Sequence, residues 1–169
     1  LTDLLVELEK ESGRELTSWS KLWLETAGVN TLKPKIETED GTITSFVIEQ
    51  TPQEGHDYLR PHRMGVGLFN LQDGKLKRVE SIELDVAGKE TKVDQLIGKK
   101  LPDLVLLNDG DLAYAKIRLD DASRKVALAN LSDIEDSLAR TLVWTAAWDA
   151  TRDGEAPASE FVKLVLGHI

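Results

Sequence analysis

The sequence predicts a mixed α and β fold, a small antiparallel β-sandwich flanked by N-terminal helices and a C-terminal α-helical segment. Three observations carry this. Apolar residues recur at helical spacing up to about Gly28, switch to a period of two from Leu32, and return to helical spacing after Asp121. Tight-turn sequences, Asp40-Gly41, Asp73-Gly74, Ala87-Gly88 and Asn108-Asp109-Gly110, punctuate the middle stretch, and these residues tolerate the positive φ of hairpin turns. No helical stretch separates the strands, as an α/β sheet would need. The chain divides into helices over 1–31, the sandwich over 32–120 and a helical segment over 121–169.

Taken in order, Leu1, Leu4, Leu5 and Leu8 form one helical stripe, with Gly13 placed to cap its C-terminus. Thr17 is the expected N-cap of a second helix, in which Trp19, Leu22 and Trp23 share a face and which Gly28 ends. Strands are expected from Leu32, over 43–50, 61–69, 76–86 and 90–93, then over 104–107 and 112–119. On the third, Met64, Val66 and Leu68 oppose Arg63, Gly65, Gly67 and Phe69, and on the fourth Ile82, Leu84 and Val86 oppose Glu83 and Asp85. One wet face is therefore expected. A short helix over 122–130 precedes a longer one, for which Ser132 and Glu135 form a capping-box pattern, Ile134, Leu138 and Leu142 a stripe, and Gly154 a stop. Pro157 suits the first turn of a last helix, apolar nearly all round over Phe161 to Leu166, which calls for cover on both sides.

The net charge of −9, from 30 acidic and 21 basic residues among 169, opposes binding to a phosphate backbone. Apolar runs such as Leu104 to Leu107 are far below the roughly 20 residues of a membrane span, so neither nucleic acid nor membrane is an expected partner. The chain has no cysteine, which excludes disulfides and thiolate metal sites. With no leader-like start, a cytoplasmic location is expected. Helical patterns running to both ends, without an initiator Met, suggest a piece of a longer chain.

No residue set for chemistry emerges: the expected catalytic, cofactor-binding and metal residues are none. His56, His62 and His168 lack the His-Glu-x-x-His spacing that puts two zinc ligands on one helical face. Glu54, His56, Asp57 and His62 make a polar stretch whose plainer reading is a loop entering a strand. Asp109, Asp111, Asp120 and Asp121 occupy turn and cap positions. Met64-Gly65-Val66-Gly67-Leu68-Phe69 has two glycines of a dinucleotide fingerprint but neither the third nor a following helix. The pairs Trp19 with Trp23 and Trp144 with Trp148, each at i, i+4, read as packing anchors against a neighbouring domain.

Three stretches carry a likeness to a known family: Ser12-Gly13-Arg14-Glu15-Leu16 through Trp19-Ser20-Lys21-Leu22-Trp23-Leu24 to Thr26-Ala27-Gly28-Val29-Asn30; Leu107-Asn108-Asp109-Gly110-Asp111-Leu112-Ala113-Tyr114-Ala115-Lys116-Ile117-Arg118-Leu119-Asp120; and Asp136-Ser137-Leu138-Ala139-Arg140 through Trp144 to Trp148-Asp149. They resemble the region after the catalytic domain in the M1 family of zinc aminopeptidases, in its actinobacterial aminopeptidase N type. The chain departs from many animal relatives at Gly28-Val29-Asn30 and at Tyr114-Ala115-Lys116-Ile117. The resemblance implies a parent that removes N-terminal amino acids from peptides with a zinc-activated water, its zinc ligands and substrate motif lying upstream of Leu1. This chain would then be a non-catalytic scaffold between a catalytic and a C-terminal helical domain, helping to close a cavity over the parent's peptide substrate. Its exposed helices would permit self-association. The alternative is a free-standing β-sandwich binding module, with Tyr58 and Arg60 of the loop 53–60 as its ligand contacts.

Overall fold

The computed structural model describes residues 1–168, and the predicted architecture is there. Helices α1 (Thr2–Ser12) and α2 (Thr17–Leu24) lead into seven strands. These are β1 (Thr31–Glu39), β2 (Thr42–Thr51), β3 (His62–Gln72), β4 (Lys75–Val86), β5 (Glu90–Lys92), β6 (Leu104–Asp109) and β7 (Lys116–Ile117). Helices α3 (Asp121–Ala129), α4 (Ser137–Arg152) and α5 (Ala158–His168) follow. The strands form two sheets, ordered β5-β2-β1-β7 and β4-β3-β6. Only the short β1–β7 pair is parallel. Asp40 and Gly41, and Asp73 and Gly74, all have positive φ, the geometry that closes the β1–β2 and β3–β4 hairpins without splaying their twisted strands.

Alternation along β3 and β6 builds two cores, one on each face of the β4-β3-β6 sheet. Met64, Val66, Leu68, Val105 and Leu107 meet Leu32, Phe46 and Ile48 inside the sandwich. Phe69, Leu104 and Leu106 point the other way and pack beneath Ala127, Leu131, Ile134, Leu142, Val143 and Leu164. The molecule is thus layered sheet, sheet, helices. The expected wet face is corrected here: the outer face of β3 is buried from Met64 to Phe69, because the C-terminal helices lie on it. Of this hairpin pair β4 keeps the half-buried alternation, with Glu83 and Asp85 exposed.

Other expectations also change. The strand expected over 112–119 shrinks to Lys116–Ile117, because the Asn108 side chain pairs with both backbone groups of Ala113, at 2.8 and 2.9 Å, and holds the intervening residues as a loop. Ser132 and Glu135 do not cap α4. Ser132 lies in a separate 3-10 turn, and the N-cap is Asp136, whose carboxylate accepts from the N–H groups of Leu138 and Ala139. A carboxylate at the positive end of a helix is the stronger cap. Ile134 consequently lies before the helix and Leu138 faces water. Thr17 is the first helical residue rather than the cap, and α2 ends at Leu24, short of Gly28. Gly13 does end α1, with φ 66° and its N–H on Glu9 O, and Gly154 follows α4 with φ 78°. None of the residues of α1 is buried, and on α5 only Leu164 is. Among the described residues no helix is long and apolar enough to cross a membrane.

Candidate functional site

Polar side chains concentrate where helices meet the sandwich, and an arginine stands at the centre of each junction. At the first, Arg60 sits just before β3 with 4% of its surface exposed. Its Nε donates to Leu22 O at 3.0 Å, its Nη1 to Gly28 O at 2.7 Å, and its Nη2 to Thr26 O, Thr26 Oγ1 and Ala27 O at 3.1, 2.6 and 3.1 Å. These acceptors are the C-terminal end of α2 and the link that follows it. A helix end leaves carbonyls unpaired and carries partial negative charge, so a cation arriving from 38 residues away satisfies both needs. The guanidinium also lies 5.4 Å from the centre of the Trp23 ring, a favourable cation–π arrangement.

Neighbouring residues fix this arginine in turn. Its backbone N–H donates to Asn30 Oδ1 at 2.9 Å, while Asn30 Nδ2 donates to Tyr58 O at 2.6 Å. Val29 N–H reaches Gln53 Oε1, and the His56 side chain packs so closely on Gly28 (φ 93°) that an added Cβ would lie 2.7 Å from it. The loop 53–60 is therefore a clasp around the exit from α2. His62 stands edge-on to Trp23 with ring centres 5.4 Å apart, and both of its ring nitrogens are buried without a hydrogen-bond partner. Burial, aided by the charge of Arg60, lowers its pKa to about 4, so it is a neutral ring at pH 7.

At the second junction Arg78 clamps Asp109 with two parallel bonds, Nη2 to Oδ1 at 2.7 Å and Nε to Oδ2 at 2.8 Å, and Ser81 Oγ donates to Oδ2 at 2.9 Å. The same Nη2 lies 3.0 Å from Asp136 Oδ2, which ties the sheet to the cap of α4. The Ala139 N–H, with Arg78 behind it, holds the Asp136 carboxyl below its usual range. Gly65 and Gly67 make room: a Cβ on Gly65 would lie 2.2 Å from Asp109 O, and one on Gly67 2.6 Å from Asp109 Oδ2. This is the physical content of the Gly-x-Gly on β3. Glycine inside a strand marks a close approach, and the thing approaching is an aspartate of the same protein.

The third junction joins β7 to the turn after α4. Arg118, with only 7% of its side chain exposed, donates to Glu155 at 2.7 and 2.9 Å and to Asp153 at 2.6 Å. Lys116 Nζ lies 2.6 Å from the same Asp153 oxygen. Lys116, then Arg118, holds the Asp153 carboxyl below its usual range, and Arg118 does the same for Glu155. Arg124 pairs with Glu160 between α3 and α5.

Against this geometry the sequence candidates fall as follows. His62 faces Trp23, His56 faces Gly28, and His168 bonds Ser132 and Leu128 O through its two ring nitrogens. Among the described residues no three His, Asp or Glu side chains gather as a metal-holding group, so these residues do not fit the zinc that the family resemblance implies for a parent. Asp120 caps α3, Asp121 lies in its first turn, and Asp111 accepts from Asn108. Asp109 departs from the turn reading, being buried in an ion pair. Arg60 is spent on carbonyls and is not available to a ligand, whereas Tyr58 stays exposed. Trp144 and Trp148 both pack on Phe161 of α5. Sequence reasoning missed all three arginine junctions, and the glycine alternation on β3 was the one local signal of any of them.

The profile of the ERAP1-like C-terminal domain matches residues 104–169, beginning on β6. The chain is 50% identical to an aminopeptidase N of Streptomyces lividans over a 177-residue alignment that takes in all of this chain. It spans 21% of that relative's length. Along its whole length, therefore, the chain is similar to one segment of an aminopeptidase N of the actinobacterial type, the resemblance that its own residues carry.

Proposed function

We propose that this chain is a non-catalytic segment of a zinc-dependent aminopeptidase, and that it works as the scaffold between a catalytic domain ahead of it and a C-terminal helical domain behind it. The observation that carries the reading is the 50% identity over the whole chain to a fifth of an aminopeptidase N. The structure is in keeping with it, since the buried Arg60 and Arg118 are engaged with backbone carbonyls and carboxylates of neighbouring elements. In this reading zinc and the peptide substrate belong to the rest of the enzyme, the segment's partners are the two flanking domains, and the enzyme is cytoplasmic. The feature that motivates a binding module, the loop 53–60, is largely occupied in clasping the exit from α2.

The test is to assay the purified chain, with added zinc, against aminoacyl-coumarin substrates while measuring bound metal, beside the full-length protein that contains it. The expected outcome is turnover by the full-length protein only, with no stoichiometric metal on the chain. Turnover by the chain that disappears on changing His56 or His62 would overturn the reading. So would a full-length protein with no aminopeptidase activity.

A further inference from the structure

Residues 25–30 link α2 to β1 with no regular secondary structure, and a link of this kind ordinarily lets the parts on either side swing. Here it is held from outside. We propose that Arg60 is a positioning residue that locks this link into a rigid elbow, fixing the angle at which α2 leaves the sandwich. Its planar fork takes acceptors from both sides of the bend, Leu22 on the helix and Thr26, Ala27 and Gly28 on the link. Rotation about any backbone bond between them would break several of these bonds together. The base of the lever is fixed as well, because Asn30 holds the backbone of Arg60 and Tyr58. His56 blocks the far side at Gly28. A lysine cannot substitute, since one ammonium on a flexible stem lacks the five-donor planar fork.

The consequence for an enzyme rests on the function proposed above: whatever is carried ahead of α2 would be held at a constant angle to the sandwich, and any opening of the enzyme would occur at other joints. The elbow itself does not depend on that reading.

The chain contains no cysteine, so spin labels at Lys21→Cys on α2 and Lys92→Cys on β5 report the elbow alone, by double electron–electron resonance. A control pair, Gln72→Cys with Lys92→Cys, lies wholly within the sandwich. Arg60→Ala is expected to broaden the 21–92 distance distribution about twofold or more while the control pair stays narrow, as a released joint samples many orientations. Arg60→Lys is expected to give an intermediate width. Arg118→Ala, which removes a similarly buried arginine elsewhere, is expected to leave the 21–92 distribution narrow. A 21–92 distribution as narrow in Arg60→Ala as in the original chain, even with a lowered Tm, would reduce Arg60 to a stabilising role and overturn the proposal, as would equal broadening by Arg118→Ala. Should Arg60→Ala not fold, Arg60→Lys decides alone: broadening supports the elbow and an unchanged width overturns it. In the full-length protein Arg60→Lys is expected to lower kcat/KM by roughly tenfold to a hundredfold through misplacement. An inactive full-length protein whose labelled chain still broadens defeats the enzyme reading and leaves the elbow standing. An active one without broadening does the reverse.

Discussion

His62 shows how one ring can make this protein sensitive to acid. Buried between Trp23 and the charge of Arg60, it has a pKa of about 4 in the folded state against an ordinary 6.5. The unfolded chain therefore binds a proton between these values while the folded one refuses it, so stability is complete above about pH 6.5 and falls as pH drops toward 4. Between pH 7 and pH 5 the expected loss is about 2 kcal/mol, by the conversion of roughly 1.36 kcal/mol per pH unit. Urea unfolding at both pH values checks this, and His62→Phe is expected to remove most of the difference. A second residue-scale prediction concerns Gly67. Its replacement by Ala presses a methyl into the Asp109 carboxylate and the Phe69 ring, and the expected cost in denaturant unfolding is about 2–4 kcal/mol, by overpacking and by loosening a buried ion pair. In the sequence His62 reads as one more polar residue beside a loop, because Trp23 lies far from it along the chain. The glycine alternation at Gly65 and Gly67 does signal a close approach, but it reads as half of an incomplete nucleotide motif because Asp109 is equally remote in sequence.

Among the elements, β7 has only two residues and depends on Arg118 for its connection to the turn after α4. Arg118→Ala would leave Asp153 with Lys116 at 2.6 Å and Arg152 at 3.7 Å, and would take from Glu155 both of its bonds to a guanidinium. The expected loss is about 1–3 kcal/mol, below that of a fully buried pair because Glu155 is half exposed. Asp153 and Glu155 titrate below their ordinary values of 3.8 and 4.5. Their stabilising contribution is present above those values and is lost as pH falls through the lower folded ones. Unfolding followed from pH 5 to pH 2.5 is expected to show a shallower acid loss in Arg118→Ala than in the original chain. At this scale most of the fold was legible: period, turn residues and glycine stops mark every helix and most strands. The failures were contests between neighbours. Ser132 and Glu135 make a good capping pattern, but Asp136 stands next to them with a charge and a partner in Arg78. The last strand is shorter than its pattern suggests, because alternation over 112–119 says nothing of Asn108 reaching across to Ala113.

For the whole molecule, the two cores share β3 and β6, so the sandwich and the C-terminal helices should unfold together. Val105 faces the sandwich interior and Leu106 the helices. Val105→Ala and Leu106→Ala are each expected to lower Tm while both sheet and helix signals melt in a single transition, with calorimetric and van't Hoff enthalpies equal. Two separated transitions would refute the shared core. On the outer surface, Leu1 at the N-cap of α1, Leu4 and Leu8 within it, and Val162 and Leu166 of α5 are exposed. Apolar stripes of this kind favour contact with another surface, and sedimentation velocity is expected to show association that rises with concentration and weakens in Leu4→Ser with Leu8→Ser. The sequence marked these stripes as apolar, but the order of the layers, sheet, sheet, helices, lay beyond it, since alternation marks a face and does not name what covers it.

The cover on the outer face of β6 has a consequence in time. Phe69, Leu104 and Leu106 are sheltered by residues as late as Leu164, which lies 55 positions after Asp109, the end of β6 (164 − 109). A ribosome adding about 5–20 residues per second needs roughly three to eleven seconds for that stretch. Throughout that interval the finished hairpins would carry an incompletely covered apolar face into a crowded solution, a target for holding chaperones and for neighbouring nascent chains.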